Sequence, residues 1–153
     1  MADDGKSATV SRTIHAPAER IFDYLARPSN HYSLDTSGMI RPSDDPSRID
    51  GTGTTFLVNM SNDFKGDHQI ENHVVVYEPD RAIGWAPADP GQAPAGHTWV
   101  WRLVSDGDST EVSQTYDWSR FTDVEGLDHL PLINREQMEH SLELLARATE
   151  STR

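Results

Sequence analysis

Two short segments constrain this chain more than any others. His97, Trp99, Trp101 and Leu103 alternate with Thr98, Val100 and Arg102, while Val112, Gln114, Tyr116 and Trp118 alternate with Ser113, Thr115 and Asp117. A period of two marks a strand, and residues of one parity share one face. Asp106-Gly107 between the segments is a strong hairpin signal. If the hairpin keeps register, the two rows meet on a single face holding three tryptophans, a tyrosine, a glutamine and a histidine.

The rest of the chain supplies partners for that hairpin. Residues 8–15, 54–60, 67–77 and 82–85 also read as strands, with Glu78-Pro79-Asp80 as a tight link. Loops are expected at 41–53 and 86–96, both rich in turn-forming residues. Pro17 suits a first helical position, Glu19 suits the helix dipole, and Ala18, Ile21, Phe22 and Leu25 line one face. Arg27 precedes Pro28, which closes that helix, and a second short helix or turn follows over 28–34.

The last element has the clearest boundaries. Asn134 caps a helix whose third position is Gln137, and Ile133 with Met138 is spaced as a hydrophobic staple. Met138, Ser141, Leu142, Leu145 and Ala148 then form an apolar stripe over residues 134–149. An antiparallel sheet must cover its apolar face, and this is the one long helix available. The expected class is α+β: a curved antiparallel sheet around a long C-terminal helix, with two short helices after the first strand. With 153 residues the chain makes one domain, residues 8–150, behind a disordered lead over 1–7.

Composition excludes several functions. There is no cysteine, which removes disulfides, thiolate metal sites and cysteine nucleophiles. Thirteen Lys and Arg face 25 Asp and Glu, a net −12, the wrong field for nucleic acid or an anionic membrane. No apolar run approaches the ~20 residues of a membrane span and no secretory leader is visible, so a cytoplasmic location is expected. Gly51-Thr52-Gly53 lacks the context of a dinucleotide fingerprint, and no phosphate-binding loop, zinc-protease helix or nucleophile elbow occurs. His68 and His73 face opposite sides of one strand. Neither a cofactor nor a metal is expected.

A C-terminal helix of Met, Leu, Ser and Ala cannot pair an indole N–H or phenol O–H for every ring on the aromatic face. A pocket with a few convergent polar groups satisfies them better than a solid core does. The groups suited to proton transfer or carbonyl orientation there are His97, Tyr116, Gln114 and Asp35. For each, a purely structural hydrogen bond is the alternative. His31, His129 and His140 are expected at the surface.

Taken together these residues resemble a known family. The run Ile14-His15-Ala16-Pro17-Ala18-Glu19-Arg20-Ile21-Phe22-Asp23-Tyr24-Leu25 is similar to the opening strand and helix of the SRPBCC superfamily, the START-like or helix-grip group. One bacterial branch, the polyketide cyclase/dehydrase-like proteins, resembles it further in three places. These are His31-Tyr32-Ser33-Leu34-Asp35-Thr36-Ser37-Gly38, Tyr77 through Trp85, and the pair formed by Gly96-His97-x-Trp99-x-Trp101 with Tyr116-Asp117-Trp118-Ser119.

The resemblance covers residues 8–149 and implies about seven strands gripping the helix around a deep apolar cavity. It places Trp85, Trp99, Trp101, Tyr116 and Trp118 on the cavity walls, with Leu34 to Met39 at the entrance. Gln114, Met138 and Leu142 join the expected lining. The expected function is binding of a polyketide-, aromatic- or lipid-like molecule by a monomer or homodimer. If the chain is an enzyme, cyclisation and dehydration is the reaction, with His97 or Asp35 as base and Tyr116 as donor. A carrier or sensor without chemistry, or a co-chaperone-activator-type module, is the alternative.

Overall fold

The computed structural model describes residues 7–43, 46–62, 66–94, 96–120 and 134–150. The period-two segments become β1 (Ser7–Ile14), β2 (Thr55–Asn62), β3 (Gly66–Glu78), β4 (Ala82–Ala88), β5 (Thr98–Asp106) and β6 (Ser109–Asp117). They form one antiparallel sheet in the order β1-β6-β5-β4-β3-β2. Helix α1 (Ala18–Leu25) and a 3-10 helix (Pro28–Leu34) follow β1, and α2 (Arg135–Glu150) closes the chain. The six strands fall one short of the expected seven among the described residues. Beside β2 the seventh place holds a single bridge, Ile40 to Met60, flanked by bonds from Arg41 N–H to the Asn59 carbonyl and Ser61 N–H to the Met39 carbonyl.

The aromatic hairpin keeps its register. Trp99 pairs with Tyr116, Trp101 with Gln114 and Leu103 with Val112, so the two rows share the concave face. The turn differs in detail from an Asp-Gly loop. Gly107 (φ 65) takes the first of two loop positions between paired Asp106 and Ser109, the glycine-first pattern of a type II′ hairpin.

Two other expectations shift. Pro17 has extended backbone (ψ 150) and precedes α1, whose first residue is Ala18. Strand β4 runs to Ala88, three residues into the segment expected as loop, and includes Pro87 paired with Asn72. The last β4–β5 pair is Trp85 with Trp99, so Pro87 sits where β4 has a neighbour on one side only and its missing N–H is tolerated.

Gly84 has a packing reason. A Cβ there would lie 2.7 Å from the Trp99 carbonyl oxygen and 2.8 Å from Val100 Cγ2, closer than real carbon atoms approach. Opposite it, the β3–β4 register slips between Val74 and Val76. This bulge leaves Val75 exposed while Val74 and Tyr77 both pack against the core.

The concave face is covered by α2 and by the short helices. Asn134 and Gln137 form the reciprocal cap: Gln137 N–H donates to Asn134 Oδ1 and Asn134 N–H to Gln137 Oε1, both at 2.8 Å. Ile133, proposed as its hydrophobic staple, lies outside the described residues. The buried stripe is Met138, Ser141, Leu142, Leu145, Ala146 and Thr149; Ala148 is only half-buried. Ser141 Oγ donates to the Leu34 carbonyl at 2.7 Å, and Arg20 to the Thr149 carbonyl at 3.0 Å, tying the middle and the C-terminal end of α2 to the first helices. No helix among the described residues is long and apolar enough to cross a membrane.

Candidate functional site

Register carries one row of side chains across the concave face, from Tyr116 on β6 through Trp99 on β5 and Trp85 on β4 to Val74 on β3. Two aromatic clusters grow from this row, each built around a buried histidine. In the first, the Tyr116 ring stacks on Trp99 with centroids 4.0 Å apart and planes 18° from parallel, and Trp118 lies 5.3 Å away. His97 Nδ1 sits 2.7 Å from the Tyr116 hydroxyl. Burial holds the His97 imidazole well below its ordinary range, to about 4, so it is neutral at neutral pH.

The second cluster was not legible as a site. His31, expected at the surface, is buried: its ring stacks on Trp85 at 4.8 Å and meets Phe56 edge-on at 5.6 Å. Its Nε2–H donates to the Leu25 carbonyl at 2.8 Å, which fixes the neutral tautomer and satisfies a carbonyl at the end of α1. Burial pushes this imidazole down to about 4 as well, the bond to Leu25 opposing only part of the shift. The physical reason for the error is tertiary. The 3-10 helix turns His31 inward over β4, and no local pattern announces that turn. His140 is exposed as expected, and His129 lies outside the described residues.

The remaining expected residues are distributed as follows. Leu34, Trp85, Trp101, Tyr116, Met138 and Leu142 belong to one continuous core, with Trp99 and Trp118 packed against it and partly accessible. Met39 is half-buried in the segment beside β2. Asp35 is not brought to the His97–Tyr116 pair by any contact seen here. Its carboxylate accepts from Ser37 N–H and Oγ and from the N–H groups of Gly38 and Ile40, at 2.5–3.2 Å, which shapes the turn after the 3-10 helix. That turn is clamped to α2, because Thr36 Oγ1 donates to the Gln137 carbonyl and Gln137 Nε2 to the Thr36 carbonyl.

Gln114, paired with Trp101, is 5% exposed, and on β3 the inward row contains Asn72 at 6%. Ile70, Asn72 and Val74 share a parity, so an asparagine on this face was readable from the sequence. A separate cleft of about 450 Å³, lined by Arg41, Asn59, Met60, Asp67, His68 and Gln69, lies at the far end of the β2–β3 hairpin. It is distant from the aromatic row and, with two carboxamides, an Arg, an Asp and a His around one Met, has a different chemistry.

No family model matches the chain, and no curated protein matches it in sequence. Solved structures do match in shape. A protein of Chromobacterium violaceum superposes with a TM-score of 0.67 at 16% identity, covering 96% of this chain and 99% of its own. The Aha1 dimer of Colwellia psychrerythraea gives 0.61 at 18%, covering 95% and 96%. A point mutant of norcoclaurine synthase from Thalictrum, in complex with a transition-state analogue, gives 0.61 at 13%, covering 95% and 94%. At these identities the likeness is one of architecture. The chain's curved antiparallel sheet closed by a C-terminal helix, superposing on these structures over nearly the whole of each chain, is the helix-grip fold.

Proposed function

We propose that this protein binds an apolar, ring-containing small molecule against the concave face of its sheet. The observation that carries the reading is the stacked pair Trp99 and Tyr116, with Trp118 tilted beside it and His97 Nδ1 on the tyrosine hydroxyl. Tyr116 itself is fully buried, while Trp99 and Trp118 next to it keep part of their surface accessible. Flat rings with a polar group at their edge suit a planar apolar guest, which gains area burial and offset stacking together. Trp85, Trp101, Leu34, Met138 and Leu142 complete the walls in this reading.

A catalytic role is the second reading, and it is favoured by the relative in complex with a transition-state analogue. Here the reaction is cyclisation and dehydration of a polyketide-like substrate, with His97 as base and the Tyr116 hydroxyl as donor to a carbonyl oxygen. The depressed basicity of His97 weighs against it. A base titrating near 4 is available at neutral pH but accepts a proton from carbon only at a steep energetic cost. Binding is therefore placed first. The co-chaperone reading, suggested by the Aha1 likeness, would use an exposed apolar surface. Among the described residues the exposed large apolar side chains, Tyr32, Leu57, Val75 and Val104, are spread over four elements, which does not favour it.

Native mass spectrometry of the purified protein, then denaturation and identification of any released molecule, tests the proposal. A stoichiometric apolar compound is expected. No compound, with no change in tryptophan fluorescence across a panel of polyketide and lipid analogues, would refute it. Turnover of the released compound that survives His97→Gln would remove His97 as base.

A further inference from the structure

Resting on the binding reading above, we infer that Asn72 and Gln114 select a neutral, elongated ligand with hydroxyl groups near its two ends. Both amides are more than nine-tenths buried, and neither amide oxygen has a hydrogen-bond partner among the described residues. A buried amide without a partner carries a desolvation cost that a leucine would avoid. Each amide has an oxygen that accepts and an N–H₂ that donates, and a hydroxyl answers both.

Register places the two amides on opposite sides of the aromatic row. Gln114 lies two residues from Tyr116 along β6 and pairs with Trp101, which pairs with Ile83 and so leads to Tyr77. Asn72 lies two residues from Val74 in the other direction and pairs with Pro87. Strand spacings put them on the order of 20 Å apart along the sheet, less across its concavity. A single ring cannot reach both, whereas an extended or multi-ring body laid over Trp85, Trp99 and Tyr116 can.

Charge narrows the class further. The described inward residues of β2 to β6 include no lysine or arginine, and Arg12 on β1, which shares the inward parity, is exposed. His31 and His97 are buried and neutral. A carboxylate, sulfate or phosphate on this face would be desolvated with no lysine or arginine of β2 to β6 beside it among the described residues, inside a protein of net charge −12. The ligand's polar groups are therefore uncharged.

The test compares three four-ring probes on the full chain by equilibrium dialysis at pH 7.5: 17β-estradiol as a two-ended diol, its 3,17-dimethyl ether, and its anionic 3-sulfate. The diol is expected to bind about five- to tenfold more tightly than the ether for each hydroxyl bonded, and the sulfate more weakly than either. Asn72→Leu and Gln114→Leu are expected to fold with unchanged or raised Tm, since each removes an unpartnered buried amide. Each variant should lose its share of the diol preference while ether binding stays the same. Equal affinity of the wild-type protein for diol and ether, or tighter binding of the sulfate, overturns the inference while leaving the binding reading intact. So does a diol preference that both variants retain. Failure of all three probes, together with no co-purified compound, overturns the binding reading and this inference with it.

Discussion

The two buried histidines make stability fall on mild acidification. His31 and His97 are each held at about 4 by desolvation, against 6.5 in an unfolded chain. On acidification the unfolded chain takes up these protons first, so stability is full above about pH 7, declines from about 6.5 to 4, and levels off below. Integrating the difference between pH 7.5 and 5 gives about 2 kcal/mol per histidine, about 4 kcal/mol for the pair. That is a large part of the 5–15 kcal/mol that holds an ordinary domain together. Urea unfolding followed by fluorescence at several pH values between 5 and 7.5 measures it. In His31→Gln, whose Nε2 can still donate to the Leu25 carbonyl, about half of the pH dependence should vanish; in the double variant with His97→Gln, nearly all of it. A His31→Gln profile with the wild-type slope would refute the claim that the imidazole is buried and neutral.

Two further perturbations probe the frame around the site. Gly84→Ala should cost about 1–3 kcal/mol, because its Cβ would meet the backbone oxygen of Trp99, which cannot move aside as a side-chain end can; a neutral result by urea unfolding would contradict the close β4–β5 approach. Asn134→Ala and Gln137→Ala should each cost about 1 kcal/mol, and the double variant less than the sum, since the two residues cap each other; strict additivity in a double-mutant cycle would argue against the reciprocal cap.

What could be read from the sequence was what local periodicity encodes. Trp99, Trp101, Gln114 and Tyr116 were placed on one face because strand parity is a local rule, and the hairpin between them is too short to let the register slip. The Asn134–Gln137 cap was equally local. Three things were not readable in this way. His31 was misplaced because its burial depends on where the 3-10 helix docks over β4. Asp35 has the residue type of a base, and that its oxygens accept from the N–H groups of Ser37, Gly38 and Ile40 is visible only in the folded turn. The last three residues of β4 were lost to Pro87, whose ordinary meaning in a strand is overridden because the pairing of β4 with β5 stops at Trp85.

The early end of the β4–β5 pairing has a mechanical consequence. Among the described residues these strands share four register pairs, Ala82–Arg102 to Trp85–Trp99, while β5 and β6 share nine and β2 and β3 eight. The sheet is thus two well-knit leaves, β1-β6-β5 and β4-β3-β2, joined along a short seam. The seam ends at Trp85 and Trp99, directly between the two histidine clusters. Bending about it would widen or narrow the gap between those clusters without breaking either leaf. The amides of the seam should then exchange hydrogen ahead of those inside the leaves, and a guest bridging the clusters would act as a splint, slowing that exchange more than any other.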